Sequence, residues 1–375
     1  MKIFYAALDS PNPAFASTIW RENLRGSLEA LGHTILDFDY DLTETFQKLD
    51  PVHHHEFIKK NRIRVSEALY SQVYEAHQKE PIQLFFSYFY NACVLPETIR
   101  AISALGITTV NWYCNGSYQM DLVADIAPAY DWCLVPEKFR LEDYRRLGAR
   151  PLYCQEAASE VVYRPYPEES LRYDVSFVGQ AYGERPEWIA YLLRQGIDVR
   201  VWGQRWERYV EPGWLRFLRR AKRRMWDGDR NASVLKIVLP RSNVGGVLSD
   251  DELVRTYSRS KINLGFSSVG NTHLDQQRIV QVRLRDFEIP MAGGFYLVER
   301  FDELAEFFEF GKEIETYSCQ DELAEKIKFY LSHETLRNQI RIAGRTRCLK
   351  DHTWKKRFES AFLQMFDSNG HVVKA

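Results

Sequence analysis

The chain has 375 residues, enough for about two domains of roughly 150 residues each, and its 45% hydrophobic and 27% charged content is that of a globular protein. A formal net charge of -1 excludes the global positive field of a nucleic-acid binder. The six cysteines (Cys93, Cys114, Cys133, Cys154, Cys319 and Cys348) are scattered with no C-x-x-C pair, which argues against a zinc site or disulfide framework, and no stretch approaches the ~20 apolar residues of a membrane span.

The N-terminal run Met1–Leu8 is too short for a signal peptide, so the expected compartment is the cytoplasm. Ile3–Leu8 reads as a strand, followed by a helix from Thr18 to Leu31 with Gly32 as its cap, then a strand over Thr34–Asp39. Phe57–Gln78 has helical periodicity. Ile82–Phe89 is the continuous apolar run of a buried parallel strand. A helix over Pro96–Leu105 capped by Gly106, strands over Thr108–Tyr113 and Trp132–Val135, and a helix over Glu142–Leu147 capped by Gly148 complete the first half. This alternation predicts a doubly wound parallel sheet.

Val161–Arg172 is rich in Pro, Glu and Tyr and lacks periodicity, which places the domain boundary there. A second α/β unit follows. Strands are predicted over Asp174–Val178, Asp198–Trp202, Lys236–Leu239, Ile262–Phe266 and Phe295–Val298. Helices are predicted over Glu184–Arg194, Val280–Met291, Asp321–Leu331, Glu334–Leu349 and Thr353–Phe366. The expected organisation is a first domain over 1–165, a second over 166–350, and a helix in 351–375 packing back on the first. Two Rossmann-like domains of this kind face each other across a cleft at the carboxyl ends of their strands, where ligands bind in open α/β sheets.

The most informative segment is Gln281-Val-Arg-Leu-Arg-Asp-Phe-Glu-Ile-Pro-Met-Ala-Gly-Gly-Phe. As a helix it puts Val280, Leu284, Phe287 and Met291 on a buried stripe, and Gln281, Arg285 and Glu288 on another face. Gly293-Gly294 then let the chain turn into a strand. A carboxylate here can accept both vicinal hydroxyls of a ribose, and a neighbouring arginine can neutralise a diphosphate with paired donors. The alternative is an exposed Arg285–Glu288 ion pair of little energetic worth.

Arg285-Asp-Phe-Glu288 with Gly293-Gly294-Phe and Leu297-Val-Glu299 resembles the signature of the CgeB-like (spore maturation type) glycosyltransferases. Asp174-Val-Ser-Phe-Val-Gly179 with Arg185, Val201-Trp-Gly203 with Trp206, Gly311-Lys-Glu-Ile, and His352-Thr-Trp with Arg357 match the same family in order, over about residues 170–366. The resemblance implies an α/β protein of the GT-B fold that uses a nucleotide-sugar donor. It implies Glu288 on the donor ribose, Arg285 and Arg185 facing the diphosphate, and Gly179, Gly293 and Gly294 allowing close backbone approach. In related retaining transferases an acidic residue stands eight positions before this glutamate, where this chain has Val280, and inversion or retention stays open. The family's W-x-x-D is here Trp112-Tyr-Cys-Asn115.

The loop Ser267–Gln277, with Asn271 and Thr272, suits donor contact as well as it suits a plain surface loop. Asp9, in the loop after the first strand, is the candidate catalytic base, with bracing of the Pro11–Pro13 loop as the alternative. His33 reads as a polar residue after the Gly32 cap. Asp37-Phe-Asp-Tyr-Asp41 could grip a cation in another fold, but alternating aspartates at a strand end are the simpler reading. His53-His54-His55 lacks ligand spacing and is expected in a loop. No metal and no cofactor are expected. Trp214–Trp226 is a basic amphipathic pattern that suits either an anionic membrane surface or a solvated domain edge.

The expected function is transfer of a sugar from a nucleoside-diphosphate sugar to a glycan, lipid-linked or protein acceptor, with no nucleic-acid partner. A place at the inner membrane surface stays open through residues 214–226. A nucleotide-sugar epimerase or hydrolase of the same fold, or a non-catalytic transferase-like binding partner, are the alternatives.

Overall fold

The computed structural model describes residues 1–8, 17–210, 237–270 and 278–366. They form two compact units: Met1–Val162 together with the chain from Asp351 onward, and Tyr163–Lys350.

The first unit is built on a six-stranded sheet of β1 (Lys2–Ala6), β2 (Thr34–Asp37), β3 (Leu84–Ser87), β4 (Thr108–Trp112), β5 (Trp132–Val135) and β6 (Pro151–Tyr153), in the order β2-β1-β3-β4-β5-β6. All pairings are parallel. β3, β4 and β5 are buried at every residue, the consequence of a parallel sheet covered by helices on both faces. Gly32, Gly106 and Gly148 follow their helices at φ 80°, 85° and 81°, left-handed conformations that a residue with a Cβ would resist.

The long helix starts six residues before its predicted start, at Pro51, and runs to Lys79. Asp50 caps it by accepting the Val52 amide at 2.8 Å, and Pro51 supplies a preset φ. The three histidines therefore lie in the first turns of a helix kinked at His54, not in a loop. Arg25 holds Asp37 through two bonds of 2.7 and 2.8 Å, and Asp41 accepts the Thr43 amide at 2.8 Å, so two of the three aspartates have local structural partners.

The helix Trp354–Met365 belongs to this first unit. Thr353 caps it, and Trp354, Phe358, Ala361 and Met365 recur at +4, +3 and +4 and are buried. Trp354 meets Trp112 edge-on at 5.3 Å and Phe358 meets Phe86 at 5.6 Å. Trp112 is thus a core residue, and Asn115 donates to the Tyr90 hydroxyl at 3.2 Å.

The second unit carries β7 (Tyr173–Val178), β8 (Val199–Trp202), β9 (Ser260–Gly265), β10 (Tyr296–Glu299) and β11 (Glu315–Tyr317), in the order β11-β10-β9-β7-β8, again all parallel. Ile237–Leu239 forms no strand. The Leu239 amide bonds the Tyr209 carbonyl at 2.8 Å, and the free side of β8 is met by Val244. Elements absent from the sequence reading appear, among them β6, β11, short helices over Thr43–Gln47 and Gly116–Gln119, and a helix over Asp250–Ser258 capped by Ser249. In each sheet the chain leaves from a central strand, builds one side, and returns to the other. The reversals fall between β1 and β3 and between β7 and β9, the places where such sheets bind ligands.

One buried acid of the first unit gives a stability test. Glu137 follows β5, is 3% exposed, and accepts a long 3.4 Å bond from the Ser117 amide on one oxygen. Its other oxygen has no bonded partner among the described residues. Burial pushes its pKa from 4.5 to about 7, against the pull of nearby backbone amides and Arg140. A carboxyl whose folded pKa exceeds its unfolded value binds its proton more tightly when folded. The advantage is complete below pH 4.5 and is lost as pH rises to about 7. Glu137→Gln should therefore gain on wild type by roughly 3 kcal/mol between pH 4.5 and 8 in urea unfolding, whereas a stability difference independent of pH would contradict the assignment.

Candidate functional site

β7 runs into Gly179, at the point where the second sheet reverses. The Gly179 amide donates to the Trp202 carbonyl at 2.8 Å, and its carbonyl accepts Trp206 Nε1 at 2.6 Å. A Cβ at 179 would stand 2.7 Å from the Phe177 ring and 3.2 Å from Arg285 Nη1. Glycine here lets a guanidinium lie against the turn. Gly203, at φ 132°, packs on the same turn, and a Cβ there would come within 2.4 Å of the Gly179 carbonyl oxygen.

Arg185 opens the helix Arg185–Arg194 and is 4% exposed. Its guanidinium covers the Tyr182 ring at 3.8 Å and donates to the carbonyls of Gln180 (3.1 Å) and Phe266 (3.4 Å), while Nε is buried without a partner. Burial, aided by the like charges of Arg283 and Arg285, pushes its pKa down to about 9 against the opposing pull of Tyr182.

The helix carrying the family-like motif begins at Leu284 and ends at Met291, not at Val280 as the apolar spacing suggested. Arg283 is extended at its cap, its amide held by Asp286 Oδ2 at 2.8 Å, and Val280 instead bridges Ser268. The shift matters because Gln281 leaves the helix and Arg283 turns toward the end of β9. Arg283 donates to the Tyr182 hydroxyl at 2.6 Å and to the carbonyls of Ser268 (2.5 Å) and Ser267 (3.2 Å). Burial raises the Tyr182 pKa, but Arg185, Arg283 and Arg285 outweigh it and bring the phenol down to about 8.

Arg285 sits one residue into the helix, with its guanidinium 5.6 Å from the Phe177 ring centre and its Nε buried without a partner. Burial lowers its pKa, yet Tyr257, Glu288 and Tyr296 together hold it above its ordinary value. Glu288 is 5% exposed, so it is not half of a surface ion pair. The Tyr163 hydroxyl donates to its Oε1 at 2.5 Å and the Tyr257 hydroxyl to its Oε2 at 3.2 Å. Burial raises its pKa against the pull of Arg285 and both phenols. Asp286 is 1% exposed and accepts the Tyr296 hydroxyl at 2.6 Å, a structural brace for the helix start.

The structure brings together Gly179, Arg185, Arg285 and Glu288. Gly293 and Gly294 stand at the far end of the same helix, where a Cβ would meet Pro165 at 3.1 Å and Asn263 at 2.8 Å respectively, so they serve packing and the turn into β10. Asp9, Asn271 and Thr272 lie outside the described residues, as does Trp214–Trp226. His33 contacts the amino terminus and the Phe362 ring. Arg283, Tyr182, Tyr163 and Tyr257 were not singled out by sequence. The repeat Arg283-Leu-Arg285 was the available signal for the first of them.

Residues 185–362 match the family model described as glycosyl transferase-like. Sucrose-phosphate synthase from Thermosynechococcus elongatus has a similar structure, with TM-score 0.57 and 12% identity over 96% of this chain and 97% of that one. The Anabaena protein Alr3699/HepE, solved with UDP-glucose, gives 0.53 and 10% over 96% and 98%. AviGT4, a glycosyltransferase involved in avilamycin A biosynthesis, gives 0.54 and 12% over 96% and 95%. The fold is GT-B. No curated protein matches the sequence. The family match of this GT-B chain covers Arg185, Arg283, Arg285 and Glu288, while Tyr163, Gly179 and Tyr182 precede its start.

The close contact at Gly179 carries a direct test. Gly179→Ala must push aside the buried Phe177 ring and the Arg285 guanidinium, and should cost about 1–3 kcal/mol in chemical denaturation. A variant as stable as wild type would show that the turn has room that the geometry denies.

Proposed function

We propose that this protein is a glycosyltransferase that moves a sugar from a nucleoside-diphosphate donor to a glycan, lipid-linked or protein acceptor, and that it is of the CgeB-like kind. The observation that carries the reading is the convergence of Arg185, Arg283 and Arg285 beside Gly179 at the reversal of the second sheet. Arg185 and Arg283 direct their bonds to backbone carbonyls and to Tyr182, and each of the three arginines keeps a buried Nε without a bonded partner. Guanidinium groups in a low-dielectric site are suited to a diphosphate, whose oxygens match their paired donors.

Glycosyl transfer breaks the bond between the sugar's anomeric carbon and the diphosphate oxygen. Negative charge grows on that oxygen as it leaves. Fixed positive groups that meet this charge lower the barrier, and they need no reorganisation at the moment of reaction. Arg185, Arg283 and Arg285 fill that role in this reading, and the N-terminus of the Arg185–Arg194 helix adds its dipole. Glu288, about one turn further along its helix from Arg285, would accept the ribose hydroxyls. Asp9 is the proposed acceptor base, and Asn271 and Thr272 the proposed further donor contacts. With three guanidinium groups supplying charge neutralisation, transfer would proceed without a metal.

Calorimetry with UDP, GDP and ADP is the first test: at least one should bind, and Arg185→Ala and Arg285→Ala should each weaken it. In turnover with the matching sugar nucleotide, loss of Arg285 should lower kcat/KM by about 10²–10³-fold, and EDTA should change nothing. Unaltered nucleotide affinity in both arginine variants would remove the assignment.

A further inference from the structure

Glu288 is closed off in this structure by two phenols, and they differ. Tyr257 lies in the helix Asp250–Ser258 of the same unit and donates at 3.2 Å. Tyr163 lies 125 residues from Glu288 in sequence, is fully buried, and donates at 2.5 Å. It is also the first residue of the second unit, where the chain arrives from the first. A bond this short from a hydroxyl to a carboxylate is of the charge-assisted class, about twice as strong as a neutral one.

Resting on the proposed ribose role of Glu288, we infer that Tyr163 is a specificity-setting competitor. Its hydroxyl takes the position on Glu288 Oε1 that a ribose hydroxyl takes when a nucleoside diphosphate binds.

The physical argument is one of exchange. A buried carboxylate oxygen stripped of its donor costs the full desolvation of that group, so the empty site needs an internal hydroxyl on Oε1. Tyr163 supplies it. A donor with a ribose hydroxyl replaces one O–H···O bond by another and leaves no acceptor unpaired. A nucleotide lacking that hydroxyl must either leave Tyr163 in place or expose an unsatisfied oxygen, and it is rejected. The same phenol thus keeps the carboxylate satisfied while empty and sets the requirement for a ribonucleotide.

Tyr163→Phe keeps the buried ring and removes only the hydroxyl. In the empty protein Oε1 then lacks its donor, so the variant should melt at a lower temperature than wild type. The Tyr163 hydroxyl takes no part in holding the bound ribose, so the nucleotide should bind about five- to tenfold more tightly than to wild type. The probe is whichever of UDP, GDP and ADP binds wild type, with its 2′-deoxy form as the comparison, measured by calorimetry on the full chain. The gain should be confined to the ribonucleotide, so that the ratio of ribo to deoxy affinity rises. Tyr257→Phe, the control on the other oxygen, should change that ratio less. Weaker ribonucleotide binding in Tyr163→Phe would overturn the inference and make Tyr163 a brace for Glu288. An unchanged ratio would overturn it too. Failure of all three nucleotides to bind wild type would instead remove the glycosyltransferase reading on which it stands, and an unchanged affinity in Glu288→Gln would remove the ribose assignment alone.

Discussion

Three guanidinium groups crowded at the carboxyl ends of β7 and β9 are the constraint on which the second unit depends. Like charges in a poorly solvated place repel, and burial of each is costly. The chain meets this with backbone carbonyls at Gln180, Phe266, Ser267 and Ser268, with the Tyr182 phenol between Arg185 and Arg283, and with Tyr257 and Glu288 beside Arg285. Among the described residues no carboxylate forms an ion pair with Arg185. At Arg185 the compensation is partial: burial pushes its pKa down, and the clustered positive charge draws the neighbouring Tyr182 phenol down as well. A site held in this state favours an anion that supplies the missing acceptors.

The fold makes the crowding possible. Parallel strands all run to one edge of the sheet, and the strand order reverses between β7 and β9, the kind of place where open α/β sheets bind ligands. Gly179 admits Arg285 against the backbone, and Gly203 admits the next turn against Gly179. Asp286 and Tyr296 then fix the start of the Leu284–Met291 helix, so that Arg283 and Arg285 leave the backbone at set positions. The first unit repeats the sheet logic with a different core. There aromatic rings, Trp112 and Trp354 among them, bind the terminal helix to the sheet.

Most strands and helices were legible because parallel sheets impose uninterrupted apolar runs and because Gly32, Gly106 and Gly148 mark helix ends. The Asp250–Ser258 helix was not, because it buries only Val254, Thr256 and Tyr257, too short an apolar stripe to stand out. The early start of Pro51–Lys79 was written in the Asp50-Pro51 cap rather than in periodicity. At the site, Arg285, Glu288, Arg185 and Gly179 could be named from motif order. Arg283 was hidden by an apolar spacing that extended the helix one turn too far. The double glycine was expected at the ligand because it adjoins the motif in sequence; what the structure shows there is close packing, on Pro165 at Gly293 and on Asn263 at Gly294. Tyr163 and Tyr257 reach Glu288 only through tertiary packing, which no local pattern encodes.

The most direct test of the central claim is a crystal structure of the full chain grown with the nucleoside diphosphate it binds. The account predicts phosphate oxygens within hydrogen-bond distance of at least two of Arg185, Arg283 and Arg285, and a ribose hydroxyl on Glu288. A nucleotide bound elsewhere, with the three guanidinium groups keeping their present partners, would contradict it.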